Sequence, residues 1–364
     1  MTETAPVMIM AGGTGGHVFP ALAIADELRR RQIPVIWLGT RRGLEATLVP
    51  KAGFPIDWIE VSGLRGHGLQ RLLTAPLMLI RAVWQAKRVL RRHRPQLVLG
   101  MGGFASGPGG LSARGLGIPL VVHEQNAVAG MTNRWLARIA NRVLAAFPGS
   151  FSNRSDAVVV GNPVRREIAT LAAPEQRFAD RHGPQRLLVL GGSQGALALN
   201  QLLPEALALM PADRRPQVRH QAGGKLLDTA ESAYRAADID VELTPFIDDM
   251  AEAYGWADLV LCRSGALTVA ELAAAGVGAV LVPYPHAVDD HQTVNGRYLA
   301  DHGAAVILSQ QELTAERLAE QLQTLLNDRR KLLDMAIAAR QRARIDATDR
   351  ITELCLELTR ESGR

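Results

Sequence analysis

The chain is poor in the features of a disulfide scaffold, a secreted precursor or a membrane span. Its 364 residues include two cysteines, Cys262 and Cys355, which give neither a disulfide framework nor a metal-ligand spacing. Aromatic residues make up 4%. That is thin for stacking on bases, and no DNA- or RNA-binding signature occurs, so nucleic acid is not an expected partner. No apolar run reaches the roughly 18 residues of a spanning helix. Met1-Thr2-Glu3-Thr4 lacks the basic-then-apolar start of a secretory signal, which points to the cytosol. Acidic residues are missing altogether between Glu60 and Glu124, an interval that holds Arg65, Arg71, Arg81, Lys87, Arg88, Arg91, Arg92, Arg94 and Arg114. Residues 1–162 carry 19 lysines and arginines against 8 acidic residues, whereas the remainder carries 22 against 28. A basic surface on one half of a chain attracts a polyanion: nucleic acid, anionic lipid or a phosphorylated substrate.

Glycine is what the chain has in the right places. The apolar run Val7–Met10 leads into Gly12-Gly13-Thr14-Gly15-Gly16-His17, and then into a helical pattern with Leu22, Ala25 and Leu28 on one face. A strand feeding such a loop and a helix brings backbone N–H groups and a helix N-terminus to one point, which suits phosphate. Pro20 is expected in the first helical turn, and Arg29-Arg30-Arg31 at the C-terminus. The arrangement recurs at Leu187–Leu190 with Gly191-Gly192-Ser193-Gln194-Gly195-Ala196 and a helix from Leu197 to Leu209. A third loop, Gly102–Gly110, follows the strand-like Leu97–Gly100. Further strands are expected at Val35–Gly39, Leu120–His123, Val143–Ala146 and Val158–Val160. Strands alternating with helices predict an α/β fold with parallel sheets, and the restart at Leu187 predicts two Rossmann-like domains meeting near Gly161-Asn162-Pro163. Ligands of such domains bind beyond the strand C-termini. From Lys331 to Leu358 one or two amphipathic helices are expected.

The loops do not match the common nucleotide fingerprints. The first would need glycine where Val18 stands, and Gly39-Thr40-Arg41-Arg42 offers no acid for a ribose, so NAD is not expected. Gly223-Gly224-Lys225-Leu226 is no P-loop, because Leu226 cannot bind Mg²⁺. Several polar groups nevertheless gather after strands. His17 falls where the first loop becomes a helix, and the positive helix end favours a neutral imidazole able to act as a base. His123-Glu124-Gln125-Asn126 is expected to present ligand contacts at a strand end. Cys262-Arg263-Ser264-Gly265-Ala266 opens a helix whose N-terminus suits a phosphate, with Glu271 one turn in, suited to a pair of sugar hydroxyls. Asp289, Asp290, His291, Gln292 and Asn295 form a polar cluster without repeated metal-ligand spacing, so no metal is predicted. Leu72, Leu73, Leu77, Leu79, Ile80 and Trp84, with Arg81 among them and Lys87 and Arg88 flanking, have the make-up of a surface-lying membrane segment.

In order along the chain, GGTGGH, HEQNAVAGMTNRWLA, GNPVR, GGSQGA, CRSGALTVAEL and DDHQTVN resemble glycosyltransferase family 28, and in particular its members that build bacterial cell-wall precursors. One departure is Gly296 after Asn295, where the resemblance leads to alanine. The resemblance implies a GT-B fold with an acceptor and membrane domain at 1–162, on which a C-terminal helix at 344–364 packs, and a donor domain at 163–343. It implies inverting transfer of N-acetylglucosamine from UDP-GlcNAc to the C4 hydroxyl of undecaprenyl-pyrophosphoryl-MurNAc-pentapeptide (lipid I), giving lipid II. No cofactor beyond the donor substrate is implied. By position, Thr14, Gly15, Gly16 and Asn126 would lie at the sugar end of the donor. Arg165, Ser193, Ile247, Ala266, Leu267, Thr268, Val269, Ala270, Glu271 and Gln292 would hold UDP, with Ser193 against the α-phosphate, Ile247 at uracil and Glu271 on the ribose. His17 is the candidate base, and Gly13, Gly103 and Gly107 are candidates for the acceptor's diphosphate. The resemblance also implies work at the cytoplasmic face of an anionic inner membrane, beside cell-wall and division proteins. Rival readings are another GT-B enzyme, such as a lipid glycosyltransferase or a UDP-GlcNAc 2-epimerase, and a non-catalytic basic membrane- or nucleic-acid-binding protein.

Overall fold

The computed structural model describes residues 5–61, 69–152, 154, 156–192, 195–285 and 290–362. The chain forms two compact units, residues 1–163 with 345–364, and residues 164–344. In the first, β1 (Val7–Met10), β2 (Val35–Gly39), β3 (Ile56–Trp58), β4 (Leu97–Gly100), β5 (Leu120–Glu124), β6 (Arg142–Ala145) and β7 (Val158–Val159) make a sheet ordered β3-β2-β1-β4-β5-β6-β7. In the second, β8 (Arg186–Leu190), β9 (Gln217–Gln221), β10 (Glu242–Thr244), β11 (Leu259–Cys262), β12 (Gly278–Leu281) and β13 (Ala305–Ile307) are ordered β10-β9-β8-β11-β12-β13. Every pairing given for these strands is parallel. Both orders are doubly wound, and each reverses direction at one place, between β1 and β4 and between β8 and β11.

The first unit's helices are α1 (Gly15–Arg30), α2 (Glu45–Lys51), α3 (Leu69–His93), α4 (Ser106–Gly115) and α5 (Met131–Ala137). The second unit has α6 (Arg166–Ala169), α7 (Pro174–Ala179), α8 (Leu197–Ala208), α9 (Leu227–Ala236), α10 (Met250–Trp256), α11 (Ala266–Ala275), α12 (His291–Ala300), α13 (Ala315–Leu326) and α14 (Arg329–Gln341). The last helix, α15 (Ala347–Ser362), returns to the first unit. Helices on both faces of a sheet bury its central strands, which is why β1, β4, β11, β12 and the Leu187–Leu190 part of β8 read as apolar runs. One core of the first unit packs Val7, Ile9, Ile24 and Leu28 against Ile351, Leu354, Cys355 and Leu358, so α15 closes the face that α1 covers. Arg142 fastens α15 by donating Nη1 to the Leu354 carbonyl at 2.8 Å and to Glu357 Oε2 at 3.0 Å. The opposite core gathers Met8, Met10, Val98 and Val122 with Ala86, Leu90, Ala113 and Leu136.

Pro20 sits one turn later than expected. α1 already begins at Gly15, so the ring stands inside the helix rather than in its first turn. Cys262 and Cys355 are buried, and burial pushes both thiols up to about 12, so they pack as small apolar groups.

Candidate functional site

At the β1/β4 reversal two glycine loops meet back to back. Met101 N–H donates to the Met10 carbonyl at 2.8 Å, and Ser106 Oγ donates to the carbonyls of Met10 at 3.0 Å and Gly102 at 2.8 Å. Gly103 has φ +86°, and a Cβ there would lie 2.8 Å from the Gly12 carbonyl carbon, so only glycine permits the approach. Thr14 is the exposed N-cap of α1, and Gly15, Gly16 and His17 form its first turn. A Cβ on Gly102 would lie 2.7 Å from His17 Cδ2, so the imidazole rests over the second loop. Gly107 lies in the first turn of α4. The N-terminal turns of α1 and α4 thus open beside the same loop pair, where backbone donors have no acceptor within their own helices.

A buried carboxylate that sequence reasoning missed braces this loop. Glu45, fully buried, accepts Gly13 N–H on Oε2 at 2.9 Å, and Thr40 N–H at 3.1 Å and Thr40 Oγ1 at 2.8 Å on Oε1. Side chains at Gly12 or Gly39 would collide with it, since a Cβ would stand 2.5 Å from Oε1 or 2.9 Å from Cγ; one at Gly43 would strike the carboxylate. An acid therefore does reach the first glycine loop, but its oxygens are taken by the protein and none is set out for a ribose. The Gly13 N–H is also committed to Glu45, leaving an anion the donors of the α1 turn.

At the end of β5 the expectation needs correction. His123, Glu124 and Gln125 are buried and hold loops instead of facing a ligand. His123 Nε2 donates to the Gly161 carbonyl at 2.9 Å and its Nδ1 accepts from Gln125 at 3.0 Å, a neutral tautomer; burial pushes the imidazole down to about 4. Glu124 accepts from Asn126 N–H at 2.9 Å, Gly130 N–H at 3.0 Å and Asn133 Nδ2 at 2.9 Å. Asn126, half-buried, is the member left at the rim, with its side-chain amide donating to Glu124 at 3.0 Å.

At the β8/β11 reversal, Ser193 lies outside the described residues. α11 starts at Ala266 after the extended N-cap Gly265, and Leu267, Thr268, Val269 and Ala270 complete its opening turns. Glu271, the next residue of α11, is buried. Its Oε1 lies 3.5 Å from Arg165 Nη2, and its Oε2 accepts the hydroxyl of Tyr254 at 3.1 Å. Burial raises this carboxyl above its usual range, while Arg165 and the Tyr254 hydroxyl pull it back. Arg165, the N-cap of α6, keeps its guanidinium about half exposed. Half-buried Ile247 precedes α10, the helix that carries Tyr254. Gln292, in the first turn of α12, accepts the Tyr284 N–H at 2.9 Å. Asp289 lies outside the described residues. Tyr254 left no sequence signal, because a tyrosine in a short helix reads as packing.

The basic-apolar segment is part of α3. Ala82, Ala86 and Leu90 are buried, while Leu77, Ile80 and Trp84 are 70%, 66% and 61% exposed and Leu79 is also exposed. Arg88 lies 5.9 Å from the Trp84 ring centre, Lys87 is half-buried and Arg81 pairs with Glu60 at 2.8 Å. Leu72 and Leu73 lie outside the residues whose side chains are described. Among the described residues no helix is long and apolar enough to cross a membrane.

Residues 7–145 match the glycosyltransferase family 28 N-terminal domain and residues 186–351 its C-terminal domain. The chain is 57% identical over 350 residues to the UDP-N-acetylglucosamine–N-acetylmuramyl-(pentapeptide) pyrophosphoryl-undecaprenol N-acetylglucosamine transferase of Marinobacter nauticus, covering 96% of each chain. It is 57% identical to the transferase of the same name from Alkalilimnicola ehrlichii, over 98% of this chain and all of that one. Its fold superposes on the crystal structure of Acinetobacter baumannii MurG with a TM-score of 0.85 at 44% identity, over 96% of this chain and 99% of that one. The two parallel α/β units are those of a GT-B glycosyltransferase. The chain belongs to glycosyltransferase family 28.

Proposed function

We propose that the chain transfers N-acetylglucosamine from UDP-GlcNAc to the C4 hydroxyl of lipid I, giving lipid II with inversion at the anomeric carbon. The observation that carries this reading is the buried Glu271 with Arg165 and the α11 N-terminus, in a chain more than half identical to transferases named for that reaction. In this reading uracil lies by Ile247 and the ribose hydroxyls donate to Glu271. The diphosphate takes the N–H groups of the α11 turn and of the Gly191–Ala196 loop, which includes Ser193, with Gln292 as a further polar contact. The acceptor oxygen attacks C1 of the donor sugar, the bond from C1 to the phosphate oxygen breaks, and UDP leaves with the electron pair. Positive helix ends steady the charge that develops on UDP.

His17 is the group we assign to the acceptor proton; its support is a place in the first turn of α1, where the positive helix end disfavours imidazolium. Thr14, Gly15, Gly16 and Asn126 would then border the transferred sugar. Gly103 and Gly107, with the α1 turn, would receive the acceptor diphosphate, Gly13 contributing space and not its N–H. The exposed α3 face around Leu77, Ile80 and Trp84 would dock on an anionic membrane, where a lipid-linked acceptor resides. Supplying the enzyme with UDP-GlcNAc and a lipid I analogue should release UDP and yield the disaccharide product. Formation of N-acetylmannosamine instead, or no reaction at all, would refute the reading.

A further inference from the structure

We propose that Tyr254 is a positioning residue for donor recognition: its hydroxyl fixes the rotamer and hydrogen-bonding capacity of Glu271. The inference rests on the reading of Glu271 as the ribose ligand and deepens it. Tyr254 is fully buried, away from bulk solvent, and its hydroxyl donates to Glu271 Oε2 at 3.1 Å. The contact spans α10 and α11, two helices whose ends are locked from behind by one side chain. Arg177 donates to the Tyr254 carbonyl at 3.2 Å and to the Ala275 carbonyl at 2.8 Å. Arg181 likewise donates to the Gly255 carbonyl at 2.5 Å and pairs with buried Asp258 at 2.7 Å.

Each carboxylate oxygen has two acceptor sites. With Tyr254 on Oε2 and Arg165 near Oε1, each oxygen keeps one site for a ribose hydroxyl, and the carboxylate plane cannot rotate freely. Arg165 alone is a weak anchor, because it is half exposed and 3.5 Å away. α10 begins three residues after Ile247, so the short helix that would follow the base also orients the acid for the sugar.

The test is steady-state kinetics of Tyr254→Phe in the full enzyme with UDP-GlcNAc and its 2′-deoxyribose analogue. The Tyr254 bond reaches the donor only through Glu271, so its loss should pass on part of the value of a charged hydrogen bond and raise KM for UDP-GlcNAc about five- to tenfold. kcat and acceptor KM should stay within about twofold, and the preference for the natural donor over the deoxy analogue should shrink. A hydroxyl that only stabilises the fold would lower the melting temperature and leave donor preference unmoved. If the wild type treats both donors alike, the ribose reading falls and this inference with it. If the wild type discriminates and Tyr254→Phe discriminates equally, the ribose reading stands and Tyr254 is not its positioning residue.

Discussion

The sharpest prediction concerns Glu45, whose carboxylate fills a slot cleared by Gly12, Gly39 and Gly43. In Glu45→Ala, Gly13 N–H, Thr40 N–H and the Thr40 hydroxyl all lose their acceptor, and methyl cannot refill the slot. Each hydrogen bond to a charged group contributes about 1.5–3 kcal/mol, but bonds sharing one acceptor do not add fully. An overall loss of about 4 kcal/mol follows. For a unit of roughly 180 residues each kcal/mol moves the melting temperature about 2–4 °C, so the expected drop is about 8–16 °C. Glu45→Gln keeps an acceptor for Thr40 but turns an NH₂ toward Gly13 N–H, and should lose about half as much. Thermal denaturation with and without UDP separates the two units, since a ligand stabilises only the unit that binds it. The transition insensitive to UDP should move in both variants, with UDP affinity retained. A drop below about 2 °C in Glu45→Ala, or equal drops in the two variants, would show that the carboxylate does not brace the loop.

Acid should weaken the fold in a defined window. His123 and His220 are held neutral by burial, both pushed down to about 4 from an ordinary 6.5. The unfolded chain takes up protons that the folded one refuses, so their contribution is complete above pH 6.5 and fades as pH falls toward 4, by roughly 3 kcal/mol each. Urea titrations between pH 7 and 4.5 test this, and a slope unchanged in His123→Gln and His220→Gln would contradict it. Gly296→Ala should change stability by between zero and about +1 kcal/mol, because an α12 interior glycine is costly and the new Cβ would meet Ile307 Cδ1, Leu281 Cδ1 and Ser264 Cβ at 3.2–3.3 Å. A loss above 1 kcal/mol in chemical denaturation would mean that those neighbours cannot yield. Arg88→Glu with Arg91→Glu should reduce binding to anionic liposomes at low salt, and Trp84→Ala should reduce it at any salt. Equal binding of the parent enzyme to neutral and anionic liposomes would remove the charge argument.

What the amino-acid sequence determined by itself was local or repetitive. Apolar runs such as Val7–Met10 and Leu259–Leu261, each ending in glycine or small polar residues, announce a buried strand, a turn and a helix within about 20 residues, because the side chains that decide them are neighbours in the chain. The ordered motifs from GGTGGH to DDHQTVN were enough to mark the family. Strands of mixed composition stayed hidden. Ile56–Trp58, Gln217–Gln221 and Glu242–Thr244 mix polar with apolar residues, and only the neighbouring strand makes them sheet.

Only the tertiary structure decided which polar groups face outward. His123-Glu124-Gln125 looked like a binding rim in one dimension, yet the network with Gly161, Gly130 and Asn133 turns them inward. Glu45 and Tyr254 had no mark in the sequence, since what defines them is distance in space: Glu45 to a backbone N–H 32 residues away, Tyr254 to a carboxylate 17 residues on. A buried polar atom must find its partner wherever the fold brings one, and the partner's position in the chain carries no trace of that requirement.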